Sequence, residues 1–482
     1  AWVVGGVALL VVASVAVAAR LPSTFFPEID ESMERVYVRF APGTSLTEAS
    51  RRLDAMALML REKLPPGCAD LVLVNVGAPG KARSAMNSPN AGPHMGFIRV
   101  ALAPPERRAL SQREVADEMR RLLNQAAPGV DFLQWPGGLV ASVFSNGYLA
   151  PVVVEVRGDS LEELAAQARQ VAEVAREVPG VRDVMTSLEL DYPEIRVSTD
   201  RPTAGQVGVS ARGMAQATLE ATLGNINAPA VWVDGGNGQS YYVVTAYDGE
   251  AITSPSELAQ VPVRAVADGG TISLGSYGTV TRSLGPIAIE RNALARSALV
   301  MMQTERRDVG SAAAELEQRL RDDPRTRGLS THFVGQVDLM RTTFGGLGVA
   351  VALALALVFM IMAIQFRSLR LPFALLLTIP ASLVGIVMAL LAAGEGFSIT
   401  ALMGVLMVIG IAVSNGILLV DHARSVLQSG VPPIEAVVEA GRVRFTPIAM
   451  TSLATIAGLL PTALGLEHGA EANRPLALAV VG

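Results

Sequence analysis

Five long apolar runs divide the 482-residue chain into a soluble part and a membrane part. The first run covers residues 1–19, and four more follow at 345–364, 371–393, 399–420 and 446–466. Each is about 20 residues long, the length that a helix needs to cross the hydrocarbon core of a bilayer. A further run starts at Pro475 and continues to Val481. The pattern predicts five full transmembrane helices plus the start of a sixth.

The first run has an alternative interpretation as a secretory signal peptide, because it ends in small residues. No basic segment and no initiator Met precede it, however, which favours a spanning helix. The chain opens on Ala1 inside this run and closes on Gly482 just after another run has begun. Both ends therefore indicate a fragment, or one half of a longer protein.

Basic residues in the short loops predict the orientation of the helices. The loop between the second and third runs carries Arg367 and Arg370, whereas the turn between the third and fourth carries only Glu395. Basic residues also follow the fourth run: His422, Arg424, Arg442 and Arg444. Loops rich in Arg and Lys stay in the cytoplasm. Residues 21–343 are therefore predicted on the outer side, in the periplasm of a Gram-negative cell.

A strand-helix-strand unit recurs in the soluble part. Each copy has a short apolar strand, a capping Ser, Thr or Asp, an amphipathic helix and a second strand. The copies lie at 36–76, 98–133, 152–185 and 309–334. In the third copy, Ser160 and Glu163 have the spacing of a capping box. Two such copies predict a ferredoxin-like βαββαβ sandwich, with helices on one face of the sheet.

These units give the predicted domain boundaries, with membrane segments at 1–20 and 344–482. The first sandwich is placed at 30–137 and the second at 150–190 plus 285–338. The insertion at 191–284 alternates like β strands at 231–247 and 261–280. Its Gly235, Gly236 and Gly238 fit a hairpin turn better than a phosphate site, since no helix and no Lys follow. The predicted fold class is a membrane helical bundle with a large α+β domain that carries a β-rich insertion.

Composition narrows the class of function. Half of the residues are hydrophobic, 17% are charged and the net charge is −5, so no basic field would attract nucleic acid. The single cysteine, Cys68, cannot form an internal disulfide. The sequence contains no P-loop, zinc-ligand spacing or nucleophile elbow. We therefore expect neither an enzyme nor a metal or cofactor site.

Five motifs occur in an order and spacing that match one family. They are Phe25-Phe26-Pro27-Glu28-Ile29-Asp30, Pro42-Gly43-Thr44-Ser45, Gln365-Phe366-Arg367-Ser368-Leu369, Gly410-Ile411-Ala412-Val413-Ser414-Asn415-Gly416-Ile417-Leu418-Leu419-Val420-Asp421 and Arg444-Phe445-Thr446-Pro447-Ile448-Ala449-Met450-Thr451-Ser452. Over essentially its whole length the chain resembles the C-terminal half of resistance-nodulation-division (RND) efflux permeases, of the acriflavine-resistance type that exports hydrophobic and amphiphilic compounds.

The resemblance implies a fold, a mechanism and partners. The apolar runs would be helices seven to eleven and the start of twelve, the sandwiches two porter subdomains, and the insertion a docking subdomain. Such permeases work in the bacterial inner membrane as homotrimers, each with an N-terminal half, a periplasmic adaptor protein and an outer-membrane channel. They exchange inward protons for outward amphiphilic compounds by alternating access, and the proton gradient is their only energy source, without a cofactor.

The resemblance also implies a proton relay. In the family, two adjacent Asp of the first half pair with a Lys on helix ten, an Arg at the start of helix eleven and a Thr further in. Arg444, Thr451 and Asn415 match this pattern, but Ser414 stands at the Lys position. Either Arg444 then balances more charge, or Ser414 and Asn415 bond the carboxylates. Asp421, near the cytoplasmic end of helix ten, is a candidate proton entry.

Each relay residue also has a plain structural interpretation. Ser and Thr hydroxyls in membrane helices commonly bond a backbone carbonyl one turn back. Arg444 would also suit a cytoplasmic anchor. Buried polar groups at bilayer depth are costly, however, which favours a functional role.

On the soluble side, a loop and four aromatic residues are candidates for substrate contact. The loop at 77–96 includes Gly77, Gly80, Gly92 and Gly96 and is expected to be flexible. Its position resembles the family's switch loop, although the family's Phe is missing. The candidate substrate wall is Phe97, Phe132, Trp135 and Phe144. Aromatics that flank strands are otherwise core residues.

Two alternative functions remain open. A metal-exporting member of the family would be indicated by a methionine cluster, but the methionines of the first sandwich show no triad: Met33, Met56, Met59, Met86 and Met95. A non-transporting receptor or scaffold on the same fold is the other alternative, because the relay Lys is missing.

Overall fold

The structure is a computed structural model that describes residues 2–18, 21–27, 29–79, 89–225, 229–248, 251–264, 270–466 and 469–482. Gly80 of the predicted switch loop and Met86 lie outside these residues.

The first sandwich is a four-stranded antiparallel sheet with two helices on one face. After α1 (Trp2–Ala18), its elements are β1 (Met33–Arg39), α2 (Leu46–Lys63), β2 (Ala69–Val76), β3 (Met95–Leu102), α3 (Gln112–Ala126) and β4 (Asp131–Pro136). The strands pair in the order β2-β3-β1-β4. Alternate residues of β1, such as Val36 and Val38, face the helices and pack with Leu53 of α2 and Val115 of α3. The alternation of the strand and the 3.6-residue repeat of the helices thus direct these apolar side chains into one core.

Capping serines begin the helices, as the sequence predicts. Ser45 and Ser111 each accept a hydrogen bond from the backbone N–H three residues on, and Ser111 forms a complete capping box with Glu114. The capping box predicted at Ser160 is only half formed. Its oxygen accepts from the N–H of Glu163, but its hydroxyl donates to the neighbouring Glu162 at 2.9 Å.

The second sandwich and its insertion occupy the chain from 139 to 334. The elements are α4 (Leu139–Phe144), β5 (Val152–Gly158), α5 (Leu161–Arg176), β6 (Val181–Thr186), β7 (Tyr192–Thr199), α6 (Arg201–Gln206), α7 (Ala211–Leu223), β8 (Ala230–Val233), β9 (Ser240–Val243), α8 (Pro255–Ala259), β10 (Pro262–Arg264), β11 (Thr271–Ser273), β12 (Gly278–Gly285), β13 (Glu290–Asn292), β14 (Ala295–Thr304), α9 (Val309–Asp322) and β15 (Thr331–Val334). The sheet has the order β13-β14-β5-β15, and β6 also pairs with β14. Val154, Val171 and Leu316 bury its helical face.

The described part of the insertion contains six strands, as predicted, together with helices that the alternation did not predict. Strands β7 and β12 pair along their whole length and frame it. Between them α7 fills 13 residues, and the strands are short. Strands β8 and β9 form a hairpin whose turn, at 234–239, holds the predicted Gly235, Gly236 and Gly238. Alternation alone did not reveal α7, because its sequence is only weakly amphipathic.

Four helices of the described chain are long and apolar enough to cross a membrane: α10 (Gln336–Phe366), the pair α11 (Arg370–Leu376) and α12 (Ile379–Ala393), α13 (Ile399–Gln428) and α14 (Pro433–Ala463). A shorter helix, α15 (Ala470–Val481), follows. Helix α1 is described over 17 residues, which corresponds to about 26 Å against a hydrocarbon core of about 30 Å. The fifth span therefore stays a prediction.

Three helices extend beyond the apolar runs that predict them, and α10 is the first, since it begins at Gln336 rather than at 345. Helix α13 continues past Val420 to Gln428, and α14 begins at Pro433 rather than at 446. An apolar run marks only the stretch that suits a bilayer. The backbone remains helical beyond it through charged residues, such as Arg424 and Glu435, that water can solvate.

A short strap, residues 22–24, connects the membrane helices to the second sandwich. The backbone N–H of Phe397, between α12 and α13, donates to Pro22 O at 2.8 Å, and that of Thr24 donates to Phe397 O at 3.1 Å. The adjacent Ser23 donates its backbone N–H to Asp308, the N-cap of α9, at 3.3 Å. The strap thus touches both parts of the molecule within three residues.

Candidate functional site

A cavity of about 370 Å³ lies where the two sandwiches meet, beside the ends of the membrane helices. We call it the junction cavity. Its walls come from the strap, from the linker that follows it and includes Asp30 and Glu31, from both sandwiches, from α4 and from the start of α15. The lining residues used below are Phe26, Asp30, Glu31, Gln112, Asp117, Arg120, Gln134, Trp135, Phe144, Arg182, Gln303, Glu305 and Glu471.

Carboxylates around the junction cavity are mostly engaged. Asp30 pairs with the buried Arg108. Glu31 accepts the backbone N–H groups of Val140 and Ala141, each at 3.0 Å, at the start of α4. These bonds fix the linker against the first sandwich and leave the carboxylates little capacity for another cation.

Two arginine pairs join the sandwiches at the cavity. Arg120 of α3 donates both terminal nitrogens to Asp183 of β6, in the bidentate geometry that makes such pairs strong. Arg182 pairs with Glu305 and, at 3.6 Å, with Asp117 of the first sandwich. The junction is therefore held by charge-assisted bonds as well as by apolar packing.

A carboxylate that sequence reasoning missed, Glu34, lies just behind the cavity wall. It is fully buried and accepts hydrogen bonds from Gln112 Nε2 at 2.9 Å and Gln134 Nε2 at 3.4 Å. Burial raises the pKa of Glu34 to about 7, against lowering by the two amide bonds and by the charges of Arg120 and Arg35. The strand alternation carries a signal for it, because Glu34 is in phase with the core residues Val36 and Val38.

The predicted substrate wall is only partly assembled. Trp135 and Phe144 line the junction cavity, and Phe144 stacks on Phe26 with ring centroids 4.4 Å apart. Phe97 is buried between the two sheets, against Tyr37. Phe132 packs into the helical core of the first sandwich. Two of the four aromatics thus line the cavity, Phe97 packs in the same cluster as Trp135 between the sheets, and Phe132 lies on the opposite face of β4.

Local packing explains why glycine occupies the described positions of the predicted switch loop. Gly77 has φ +83°, and a Cβ there would lie 2.7 Å from a methyl carbon of Leu46. Gly96 lies inside β3, where a Cβ would approach Asn75 O to 2.9 Å. Gly92 is buried against Ile287. A gating role for this loop stays a prediction.

The predicted relay residues lie on two neighbouring helices, Ser414 and Asn415 on α13 and Arg444 and Thr451 on α14. No hydrogen bond joins any of the four to another within the described residues. The Thr451 hydroxyl donates to Ile448 O at 2.9 Å and Pro447 O at 3.2 Å, the local pattern of a helical Thr. Ser414 and Thr451 are exposed, and Arg444 Nε is buried without a partner in the described chain.

One position within these helices differs from what the resemblance implies. Arg444 lies about three turns into α14 and not at its start, since α14 begins at Pro433, and Thr451 lies further in, near the middle of that helix. Asp421 is followed by about two turns of α13 before the helix ends at Gln428. One turn on, Arg424 donates to Phe366 O at 3.0 Å and so caps the C-terminus of α10.

Comparisons with known proteins agree over the whole chain. The sequence model described as the AcrB/AcrD/AcrF family matches residues 1–482. The nickel and cobalt resistance protein CnrA of Cupriavidus metallidurans is 27% identical over 99% of this chain and 44% of its own length. The multidrug resistance protein MdtC of Pectobacterium atrosepticum is 25% identical over 96% and 43%, respectively. This chain thus spans less than half of each relative.

Solved structures agree on the fold. The crystal structure of a heavy metal efflux pump, crystal form II, superposes with a TM-score of 0.80 at 24% identity, over 99% of this chain and 48% of that one. Crystal form I gives a TM-score of 0.81 at 23% identity.

Proposed function

The chain belongs to the AcrB/AcrD/AcrF family of RND efflux transporters, and from that membership we propose that it is the C-terminal half of a proton-driven exporter of amphiphilic compounds. The observation that carries the proposal is the junction cavity, in which aromatic rings and amide groups lie together above a set of membrane helices. Cavities of this size and mixed chemistry suit small amphiphilic molecules.

Export of divalent metal ions is the second candidate, because relatives such as CnrA are named for metal resistance. A hard or borderline cation needs several free carboxylate, imidazole or thiolate ligands. In the described residues no group of three or more such side chains stands together. Asp30, Glu31 and Glu305 of the junction cavity are each bonded to arginine or to backbone N–H groups. This engagement favours an amphiphile over a metal ion.

Transport by the full-length pump in inside-out vesicles tests the substrate class. We expect proton-driven accumulation of ethidium and none of Co²⁺ above vesicles without the pump. Accumulation of Co²⁺ with no ethidium uptake would overturn the amphiphile proposal in favour of the metal exporter. Loss of both activities would favour the receptor or scaffold.

For proton coupling we propose that Asn415, Thr451 and Arg444 serve the relay and that Ser414 replaces the Lys as a hydrogen-bond donor. The neighbouring helices α13 and α14 carry these groups. The buried N–H of Arg444 Nε has no acceptor among the described residues, so it can still donate a hydrogen bond. Carboxylates for the relay would come from an N-terminal half. Asp421 on α13 is proposed as the entry point for protons.

The relay is tested by Asn415→Ala and Thr451→Ala in the full-length pump, with Thr455→Ala as the matched control. Thr455 bonds the carbonyl of Thr451 at 2.9 Å, in the same local pattern, one turn away. We expect the first two variants to lower proton-dependent dye efflux at least about tenfold, as loss of a positioned proton-transfer group does. Equal efflux in all three would remove both residues from the relay.

We further propose that the assembled pump is an inner-membrane homotrimer that works with a periplasmic adaptor protein and an outer-membrane channel, with the soluble domain in the periplasm. Family membership supports this arrangement. The insertion would be the docking subdomain.

A further inference from the structure

Arg120 holds the two sandwiches together close to a buried carboxylate. It extends from α3 of the first sandwich and donates both terminal nitrogens to Asp183 of β6 in the second. Asp183 also accepts the backbone N–H of Gln134 at 3.1 Å. The side chain of the same Gln134 donates to Glu34 at 3.4 Å. One residue of β4 thus contacts both the acid inside the first sandwich and the acid across the junction.

Glu34 is surrounded by neutral donors. It is fully buried and accepts hydrogen bonds from the amides of Gln112 and Gln134, at 2.9 and 3.4 Å. Each amide also donates to a backbone carbonyl, and both amide oxygens are left without a donor in the described chain. A carboxylate that exchanges water for neutral donors binds its proton more tightly. Burial accordingly raises the pKa of Glu34 to about 7.

Two positive charges act on Glu34 without a hydrogen bond to it among the described residues, those of Arg120 and Arg35. Arg35 follows Glu34 on β1, so its side chain points to the opposite face of the sheet, where it donates to the start of α4. The strand neighbours of Glu34 on β3 and β4 are the uncharged Val100 and Pro136. Of these groups, Arg120 is the one whose charge is paired with the second sandwich.

The pairing of Arg120 decides how strongly its charge acts on Glu34. With Asp183 in place, the carboxylate of Asp183 opposes the field of the guanidinium. If the sandwiches separate, Arg120 keeps its charge but loses this partner. A cation without an opposing charge favours the ionised form of a neighbouring carboxyl group. Glu34 therefore holds its proton best while Arg120 is paired across the junction.

We propose that Glu34, Arg120 and Asp183 form a proton-linked joint, in which the sandwiches stay together while Glu34 is protonated and their separation releases the proton. The inference goes beyond the proposed function, because it does not depend on what the chain exports. Since the joined arrangement binds the proton more tightly, it is favoured at low pH, and separation becomes easier as the pH rises through about 7. If separation restored the ordinary pKa of 4.5, its equilibrium constant would increase about 70-fold between pH 5 and pH 8.

The backbone N–H of Gln134 is a local reporter of the joint, because its acceptor is Asp183. Hydrogen–deuterium exchange of the full-length pump in nanodiscs, resolved to single amides and corrected for the intrinsic rate at each pH, measures how often this bond opens. We expect the protection of Gln134 to fall by roughly ten- to seventyfold from pH 5 to pH 8. Leu133 is the internal control, since successive N–H groups of a strand point to opposite edges and its own faces β1. Its protection should not change.

Three variants separate the members of the joint. Glu34→Gln is neutral at every pH and keeps the shape of the side chain, so the protection of Gln134 should stay at its pH 5 level at both pH values. Arg120→Gln removes the shared cation without touching the two bonds of Glu34, and Gln134 should then be weakly protected at both. Glu155→Gln is the matched control, because Glu155 is a buried carboxylate of the second sheet with its own partner, Arg157. It should keep the pH dependence.

Four results would count against the proposal. Equal protection of Gln134 at pH 5 and pH 8 in the unmodified pump would overturn the linkage. A pH dependence that survives Glu34→Gln would belong to another titrating group, and one that survives Arg120→Gln would remove Arg120 from the joint. A parallel loss of protection at Leu133 would show that the first sandwich unfolds rather than separates. The class of exported compound is untouched by any of these outcomes.

Discussion

Glu34 is a carboxylate whose surroundings oppose its charge. It is enclosed by the first sheet and α3, where two amide bonds and the nearby Arg120 and Arg35 only partly offset the loss of water. Its pKa of about 7 lies far above the ordinary value of 4.5. The difference corresponds to about 3 kcal/mol between the protonated and ionised forms. The residue therefore makes the stability of the first sandwich depend on pH.

The sign of this dependence follows from the raised pKa. Because the folded protein holds the proton more tightly than the unfolded chain, the contribution is fully present below about pH 4.5 and is lost as the pH rises through about 7. We expect Glu34→Gln to raise the apparent Tm of the full-length pump at pH 8 and to leave it unchanged at pH 5. Thermal unfolding in detergent at both pH values measures this. A variant with a lower Tm at pH 8 would contradict the assignment.

At the scale of elements, close helix contacts in the membrane part rely on small residues. Gly404 of α13 is buried, and a Cβ there would lie 2.7 Å from Ala479 Cβ and 2.9 Å from Leu476 O of α15. Small residues let helix backbones approach in this way. Gly410, later on the same helix, has nothing within 4 Å of a built Cβ.

Two alanine substitutions separate packing from helix propensity. Gly404→Ala should push α13 from α15 and cost about 1–3 kcal/mol, which lowers the apparent Tm by several degrees. Gly410→Ala should keep or slightly raise it, since Ala favours a helix by up to about 1 kcal/mol. Melting curves of the two variants and the unmodified pump give the comparison. Equal shifts would mean that α13 and α15 do not pack as described.

At the scale of the whole molecule, the strap makes the membrane helices and the second sandwich one connected body. Pro22 and Thr24 exchange backbone hydrogen bonds with Phe397, and Ser23 donates its backbone N–H to the Asp308 carboxylate. The arginine pairs then join the second sandwich to the first. The loop between α12 and α13 is therefore joined to the N-terminus of α9 through three residues.

The proposed orientation of the molecule is tested by labelling single cysteines in a full-length pump from which all native cysteines, Cys68 included, have been removed. A membrane-impermeant maleimide added to intact spheroplasts should label Asp248→Cys in the soluble domain but not Ser368→Cys, which lies in the loop with Arg367 and Arg370. Permeabilisation should expose the second site, by the positive-inside rule. The reverse labelling pattern would place the soluble domain in the cytoplasm.

Local chemistry in the sequence was sufficient for four membrane spans, the capping serines and the succession of strands and helices in the first sandwich, because these depend on neighbouring residues and short periods. It did not reveal α7, whose amphipathic signal is weak, or the true start of α14, since helices extend beyond their apolar cores. The family motifs located Ser414, Asn415, Arg444 and Thr451, but the described residues do not bond them together.

Only the tertiary structure decided the junction cavity. Its key bond, from Gln134 to Glu34, joins residues 100 positions apart, and its pair from Arg120 to Asp183 spans 63. Whether a glutamine presents its oxygen or its nitrogen to a cavity depends on which acceptors the fold brings beside it. Glu34 could be placed on the core face of β1 from alternation alone, but its partners, its raised pKa and the two free oxygens that it leaves arise only when α3 and β4 close around it.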